Sequence, residues 1–122
     1  MRRLLPEIRQ LEPAAAVYAL NAPFAADPNQ HRLASKPRGR ELSRVWYELP
    51  RARFYPRREI IPAMRVSISH VRQLIDHARR AHNLRHEQIF ILAFSQGCGP
   101  ALQAAVEEEA ATKQSLGGVA LL

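Results

Sequence analysis

Apolar positions recur at different periods along the chain, and each change of period marks a new element. Leu4, Leu5, Ile8 and Leu11 stand at helical intervals that Pro13 closes, which predicts a short amphipathic helix over 2–11. Residues 14–20, Ala-Ala-Ala-Val-Tyr-Ala-Leu, read as a small buried strand ended by Asn21, Ala22 and Pro23. Polar residues and prolines make 24–37 a loop, and 37–56, which holds Trp46 and Tyr47 between arginines and prolines, an irregular excursion. From 58 to 83, Val66, Ile68, Val71, Leu74, Ile75 and Ala78 form one stripe and Arg65, Arg72, Asp76, Arg79 and Arg80 the opposite one. That segment is the clearest helix in the chain. The unbroken apolar run 89–94 has the composition of a buried parallel strand. After Ser95, Ala101, Leu102, Ala104, Ala105 and Val106 continue as a helix in which Pro100 is tolerated in the first turn, with Gly117-Gly118 as punctuation and 119–122 as a last short strand.

This order predicts an α/β class: one domain over 1–122, with a mostly parallel sheet of about three strands and covering helices. A chain of 122 residues supports a modest core and no second domain.

Net charge is +7, and the positive charge is almost all arginine, because Lys36 and Lys113 are the only lysines. Such a balance raises the question of a nucleic-acid partner. The arginines, however, scatter from Arg2 to Arg85 among glutamates and apolar residues, without zinc-ligand spacing or an aromatic RNA-binding motif, so a solvated basic surface is expected and no nucleic acid. One cysteine, Cys98, excludes an internal disulfide framework and fits a reducing, cytoplasmic compartment. Glu7, Arg9 and Glu12 interrupt the segment that would otherwise imitate a signal peptide. No stretch approaches the roughly 20 apolar residues of a membrane span.

Ser95 carries the candidate chemistry. It follows an apolar strand, precedes a helix and has Gly97 two positions later, as a serine nucleophile on a tight strand-to-helix turn requires. There the hydroxyl projects outward, and the helix N-terminus faces a developing oxyanion. Position 93 is Ala where the G-x-S-x-G pattern has Gly. The competing reading is a helix N-cap whose side-chain oxygen accepts a first-turn N–H.

Asn21-Ala22-Pro23, Trp46-Tyr47-Glu48, Leu74-Ile75-Asp76, Ile91-Leu92-Ala93-Phe94-Ser95-Gln96-Gly97 and Leu116-Gly117-Gly118-Val119-Ala120-Leu121 together resemble, in order along the chain, the phospholipase/carboxylesterase family that includes acyl-protein thioesterases. Leu20, Glu48, Ala93 and Cys98 depart from the family's motifs. The resemblance implies a partial α/β-hydrolase fold and hydrolysis of carboxylic esters or acyl thioesters. Ser95 would be the nucleophile, the backbone N–H of Gln96 an oxyanion donor, and Trp46 part of the substrate wall. No cofactor or metal is implied. The family's acid and base follow the nucleophile as Asp and His, yet neither occurs after Ser95, and His31, His70, His77, His82 and His86 all precede it. The family's first strands and the loop supplying its second oxyanion donor are not matched either. The expectation is therefore a hydrolase truncated at both ends, an incomplete gene model or a degenerate copy, in which the strands flanking a missing central one either close up and pair directly or leave polar groups unpaired and the chain poorly folded alone.

Other residues read more plainly. His82 and His86 stand four apart, as two metal ligands on a helix would, but a solvated pair at a helix C-terminus fits better. Trp46 and Tyr47 either line an acyl channel or anchor the long loop. Cys98 reads as a small hydrophobe behind the Ser95 turn, and Glu107-Glu108-Glu109 as a solvated helix face. Two functions follow: a serine hydrolase, or a non-catalytic remnant acting as a binding or interaction module through an exposed sheet edge and an arginine-rich surface.

Overall fold

The computed structural model describes residue 10, residues 14–25, 44–47 and 57–122, with side chains of the last segment from Ile60 onward. The first element, β1 (Phe24–Ala25), pairs antiparallel with β2 (Arg44–Val45), Phe24 opposite Val45 and Ala25 opposite Arg44. Helix α1 (Arg57–His82) follows, then a 3₁₀ turn (His86–Gln88), β3 (Phe90–Ala93), a second 3₁₀ turn (Ser95–Gly97), α2 (Cys98–Thr112) and β4 (Gly118–Leu121). β3 and β4 run parallel, with Phe90, Ile91, Leu92 and Ala93 opposite Gly118, Val119, Ala120 and Leu121, and α2 is the crossover between them.

The stripe of α1 organises the core. Ile68, Val71 and Ile75 are buried together with Ile89 and Ala104, and Leu20, Trp46, Met64, Leu84, Ile91 and Leu116 pack around that cluster. Both helices thus lie on the face of β3 that carries Ile89, Ile91 and Ala93. Val66, at the border of the expected stripe, is half exposed, and so are Leu102 and Val106 of α2, whose buried line is Ala101, Ala104, Ala105 and Glu108. The small residues on that line let α2 approach α1 and β3 closely.

Local chemistry sets the helix ends. Asn83 adopts φ 50° and the Leu84 N–H reaches back to the Arg79 carbonyl, the left-handed stop that Asn tolerates. Lys113 ends α2 in the same way, at φ 60°, so Gly117 and Gly118 are not its cap. Gly117 is needed for another reason. A Cβ there would run into the Glu87 carbonyl oxygen, and its N–H donates to the Ile89 carbonyl as β4 comes alongside β3.

The expected architecture needs correction. Among the described residues there is no mostly parallel sheet of about three strands with covering helices, but two helices, one antiparallel pair and one parallel pair. Residues 14–20 form no strand, and their backbone takes no ladder partner. The reason is compositional: three alanines offer little surface to hold a pleat, and Val17 and Tyr18 remain about a third exposed. Tyr18 instead donates or accepts at 2.7 Å with His82 Nε2 and stands edge-on to His77. Conversely, Phe24 and Ala25, expected in a loop, pair with Arg44 and Val45, and the Arg44 guanidinium reinforces the pair by donating to the carbonyls of Ala22 and Pro23. The expected 2–11 helix lies outside the described residues except for Gln10, which is helical. The rest of the 24–37 loop and of the 37–56 excursion lies outside them as well.

Ile75 is 4 % exposed at the centre of the core, so Ile75→Ala is expected to destabilise the fold by about 2–4 kcal/mol in urea unfolding, against under about 0.5 kcal/mol for Leu102→Ala on the solvent side.

Candidate functional site

Ser95 occupies the turn between β3 and α2 and adopts φ 52°, a left-handed conformation that costs a non-glycine residue about 1–2 kcal/mol. Two ladder bonds impose it: the Ser95 N–H donates to the Leu122 carbonyl at 2.7 Å, and the Leu122 N–H to the Ala93 carbonyl at 2.9 Å. Held there while Gly97 and Cys98 already turn into helix, Ser95 is exposed. Its hydroxyl caps nothing, since the residue capping α2 is Gly97 and no side chain bonds to that end. This geometry disposes of the helix-cap reading. The Gln96 N–H, one residue on, has no acceptor among the described residues.

The Gln96 side chain ties the turn to the small antiparallel pair. Its Oε1 accepts the Trp46 N–H at 3.1 Å and its Nε2 donates to the Tyr47 carbonyl at 2.7 Å. Ser67, buried on α1, donates its hydroxyl to the Trp46 carbonyl. The Trp46 indole lies over Gly97, where an added Cβ would come within 3.0 Å of its Nε1. Trp46 therefore stands beside the Ser95 turn as a half-buried anchor packed on the core. Cys98 is half buried, with Sγ 3.5 Å from the Leu122 carbonyl.

No histidine or carboxylate among the described residues hydrogen-bonds Ser95. The one buried acid–imidazole pair among them lies on the 3₁₀ turn before β3 and on α2: His86 Nε2 is 3.2 Å from Glu108 Oε1, and Glu108 Oε2 accepts from Arg72 Nε at 3.1 Å. Two expectations change here. His86 is not solvated beside His82 but buried on Glu108, while His82 goes to Tyr18. Glu108 is not part of a solvated face; it continues the Ala101, Ala104, Ala105 line by helical spacing, a signal present in the sequence that the Glu-Glu-Glu run obscured. No cluster suited to a metal ion occurs among the described residues.

A cleft of about 430 Å³ runs between α1 and α2, lined by Arg65, Ser69, Arg72 and Asp76 on one side and by Glu107 and Glu108 on the other. Neither Ser95, Gln96 nor Trp46 borders it. Partial desolvation raises the Asp76 carboxyl, but the hydrogen bonds and charges of Arg80 and Arg79 outweigh it and hold Asp76 below its ordinary 3.8. Arg80 sits at 2.8 Å and Arg79 at 3.3 Å.

No helix of the described residues is long and apolar enough to cross a membrane. Comparison with protein-family models, with curated proteins and with solved structures yields no match.

Three outcomes are expected. Ser95→Gly relieves the turn and stabilises the fold by about 0.5–1 kcal/mol, whereas Ser95→Ala does not. Gln96→Ala removes both bonds to the 46–47 segment, costs about 1–2 kcal/mol and shifts Trp46 fluorescence to the red. Because the folded Asp76 is lowered, its stabilisation is full above the unfolded value of 3.8 and is lost as pH falls through the folded one; in acid titrations followed by circular dichroism, Asp76→Asn flattens that limb.

Proposed function

We propose that the chain is built on the plan of a serine hydrolase of carboxylic esters or acyl thioesters, with Ser95 at the nucleophile position. The observation that carries this reading is the strained, exposed Ser95 between β3 and α2, held at φ 52° by backbone bonds on a residue type that does not favour it. The adjoining Gln96 N–H has no acceptor among the described residues and could donate to an oxyanion, and the motifs around Ser95 resemble those of the phospholipase/carboxylesterase family. In a productive step the Ser95 hydroxyl would lose its proton to a base and attack the acyl carbon, and the carbonyl oxygen would take up charge beside the Gln96 N–H. Trp46, under the same turn, would bound the acyl side. One cysteine and no disulfide are consistent with a cytoplasmic setting.

A second reading, an interaction module without turnover, is favoured by another observation: no base reaches Ser95 among the described residues, while Phe90, Leu92 and Phe94 are exposed.

Hydrolysis of p-nitrophenyl acyl esters and acyl thioesters, with covalent labelling by a fluorophosphonate probe, decides between them. The hydrolase reading expects turnover and labelling that fall at least about 100-fold in Ser95→Ala. A cooperatively folded chain with neither signal overturns it and leaves the interaction reading.

A further inference from the structure

The Gln96 carboxamide is directed at the backbone of a segment far away in sequence. Its Oε1 accepts from Trp46 and its Nε2 donates to the Tyr47 carbonyl. A backbone N–H only donates and a carbonyl only accepts, so these two partners fix which way round the amide lies. The 46–47 segment is itself held from another side: the Trp46 carbonyl accepts from the hydroxyl of Ser67, buried on α1, and the Trp46 indole rests over Gly97. A line of contacts thus leads from the core side of α1 through Ser67 and the 46–47 backbone to the Gln96 side chain, and ends at the backbone of the residue after Ser95. Within the 3₁₀ turn Ser95–Gly97, the Ser95 N–H goes to Leu122 and the Gly97 N–H to Phe94, while the Gln96 N–H has no acceptor among the described residues. Hydrogen bonds of a 3₁₀ turn have poorer geometry than those of an α-helix, so the turn alone holds an unpaired N–H less firmly. Of the side chains in this turn, only that of Gln96 is tied to another part of the fold among the described residues.

We propose that the Gln96 side chain is a positioning group for acyl transfer at Ser95: docked on the 46–47 backbone, it fixes the Ser95–Gln96 peptide and so holds the N–H of its own residue as the oxyanion donor. The inference rests on the hydrolase reading. The peptide unit is gripped at three points. Its carbonyl accepts from the Cys98 N–H, the Ser95 end is bonded to Leu122, and the Gln96 end is tied by the side chain to Trp46 and Tyr47. Donors stabilise an oxyanion most when they are in place before the charge develops. A misplacement of about 1 Å costs on the order of 100-fold in rate. Glutamine suits the task because its carboxamide sets an acceptor beside a donor, matching the N–H of one residue and the C=O of the next. A shorter or apolar side chain leaves the N–H of residue 96 in the chain but without the tie. A tie that served stability alone would lower the unfolding midpoint and leave the rate per folded molecule unchanged.

Steady-state hydrolysis of p-nitrophenyl butyrate by the full chain tests it in the wild type, Gln96→Ala and Gln96→Met, with rates referred to the folded fraction given by circular dichroism. Methionine keeps the length and bulk of the side chain but offers no donor, and it keeps the test open where the alanine variant unfolds. In both variants kcat is expected to fall about 10–100-fold while KM stays within about threefold, because the donor acts mainly in the transition state. Affinity for an alkyl trifluoromethyl ketone, whose serine adduct carries an oxyanion, is expected to fall by the same factor as kcat/KM. An unchanged kcat in the folded variants, a change confined to KM, or a ketone affinity that does not follow kcat/KM overturns the proposal and leaves the hydrolase reading standing. A folded wild type with neither turnover nor fluorophosphonate labelling overturns both.

Discussion

Ile68, Val71 and Ile75 of α1 meet Ile89 of the strand approach and Ala104 of α2 in one apolar cluster, and every other feature of the molecule is referred to that contact. A two-stranded parallel sheet has too little surface to stand alone, and its two strands are joined by a helix that must itself be covered. Packing α1 across both solves this on one side only. Among the described residues no helix covers the opposite face of β3, where Phe90, Leu92 and Phe94 are exposed, and the asymmetry between the two faces is the main physical fact about this part of the fold.

The Ser95 turn inherits its shape from the same construction. Because β4 returns parallel to β3 and Leu122 follows it in line, the Leu122 carbonyl captures the Ser95 N–H and the residue takes up the left-handed region before the helix begins. Strain is thus stored where backbone bonds outnumber the local preference of serine. Gln96 and Trp46 then secure the turn from the other side, Gln96 through two hydrogen bonds to the 46–47 backbone and Trp46 by lying over Gly97. The proposed nucleophile position and a structural lock therefore share the same short turn.

Buried polarity in this molecule is placed away from that turn. Glu108 joins the buried His86 to the partly exposed Arg72 across the α1–α2 contact, and removing Glu108 would leave the buried His86 ring without its carboxylate partner. The network fixes α2 against α1 and the turn before β3, so its role in the described structure is positional. Asp76, held ionised by Arg79 and Arg80, belongs to the outer rim of the same cleft.

The sequence alone determined what is local. The helical period over Ile68, Val71 and Ile75, the stop at Asn83, the apolar strand before Ser95 and the serine turn itself are all written in neighbouring residues, because hydrophobic period and backbone preference act over a few positions. What depends on partners far along the chain was decided only by tertiary structure. Residues 14–20 look like a strand by apolarity, yet a strand exists only where a ladder accepts it, and none does. Phe24 and Ala25 look like loop and pair because Arg44 and Val45 come to them. His86 and Glu108 look solvated one at a time and are buried together, since only packing α2 on the turn before β3 brings an acid and an imidazole within 3.2 Å. Charge, period and turn chemistry are properties of segments, whereas burial and strand pairing are properties of pairs of segments.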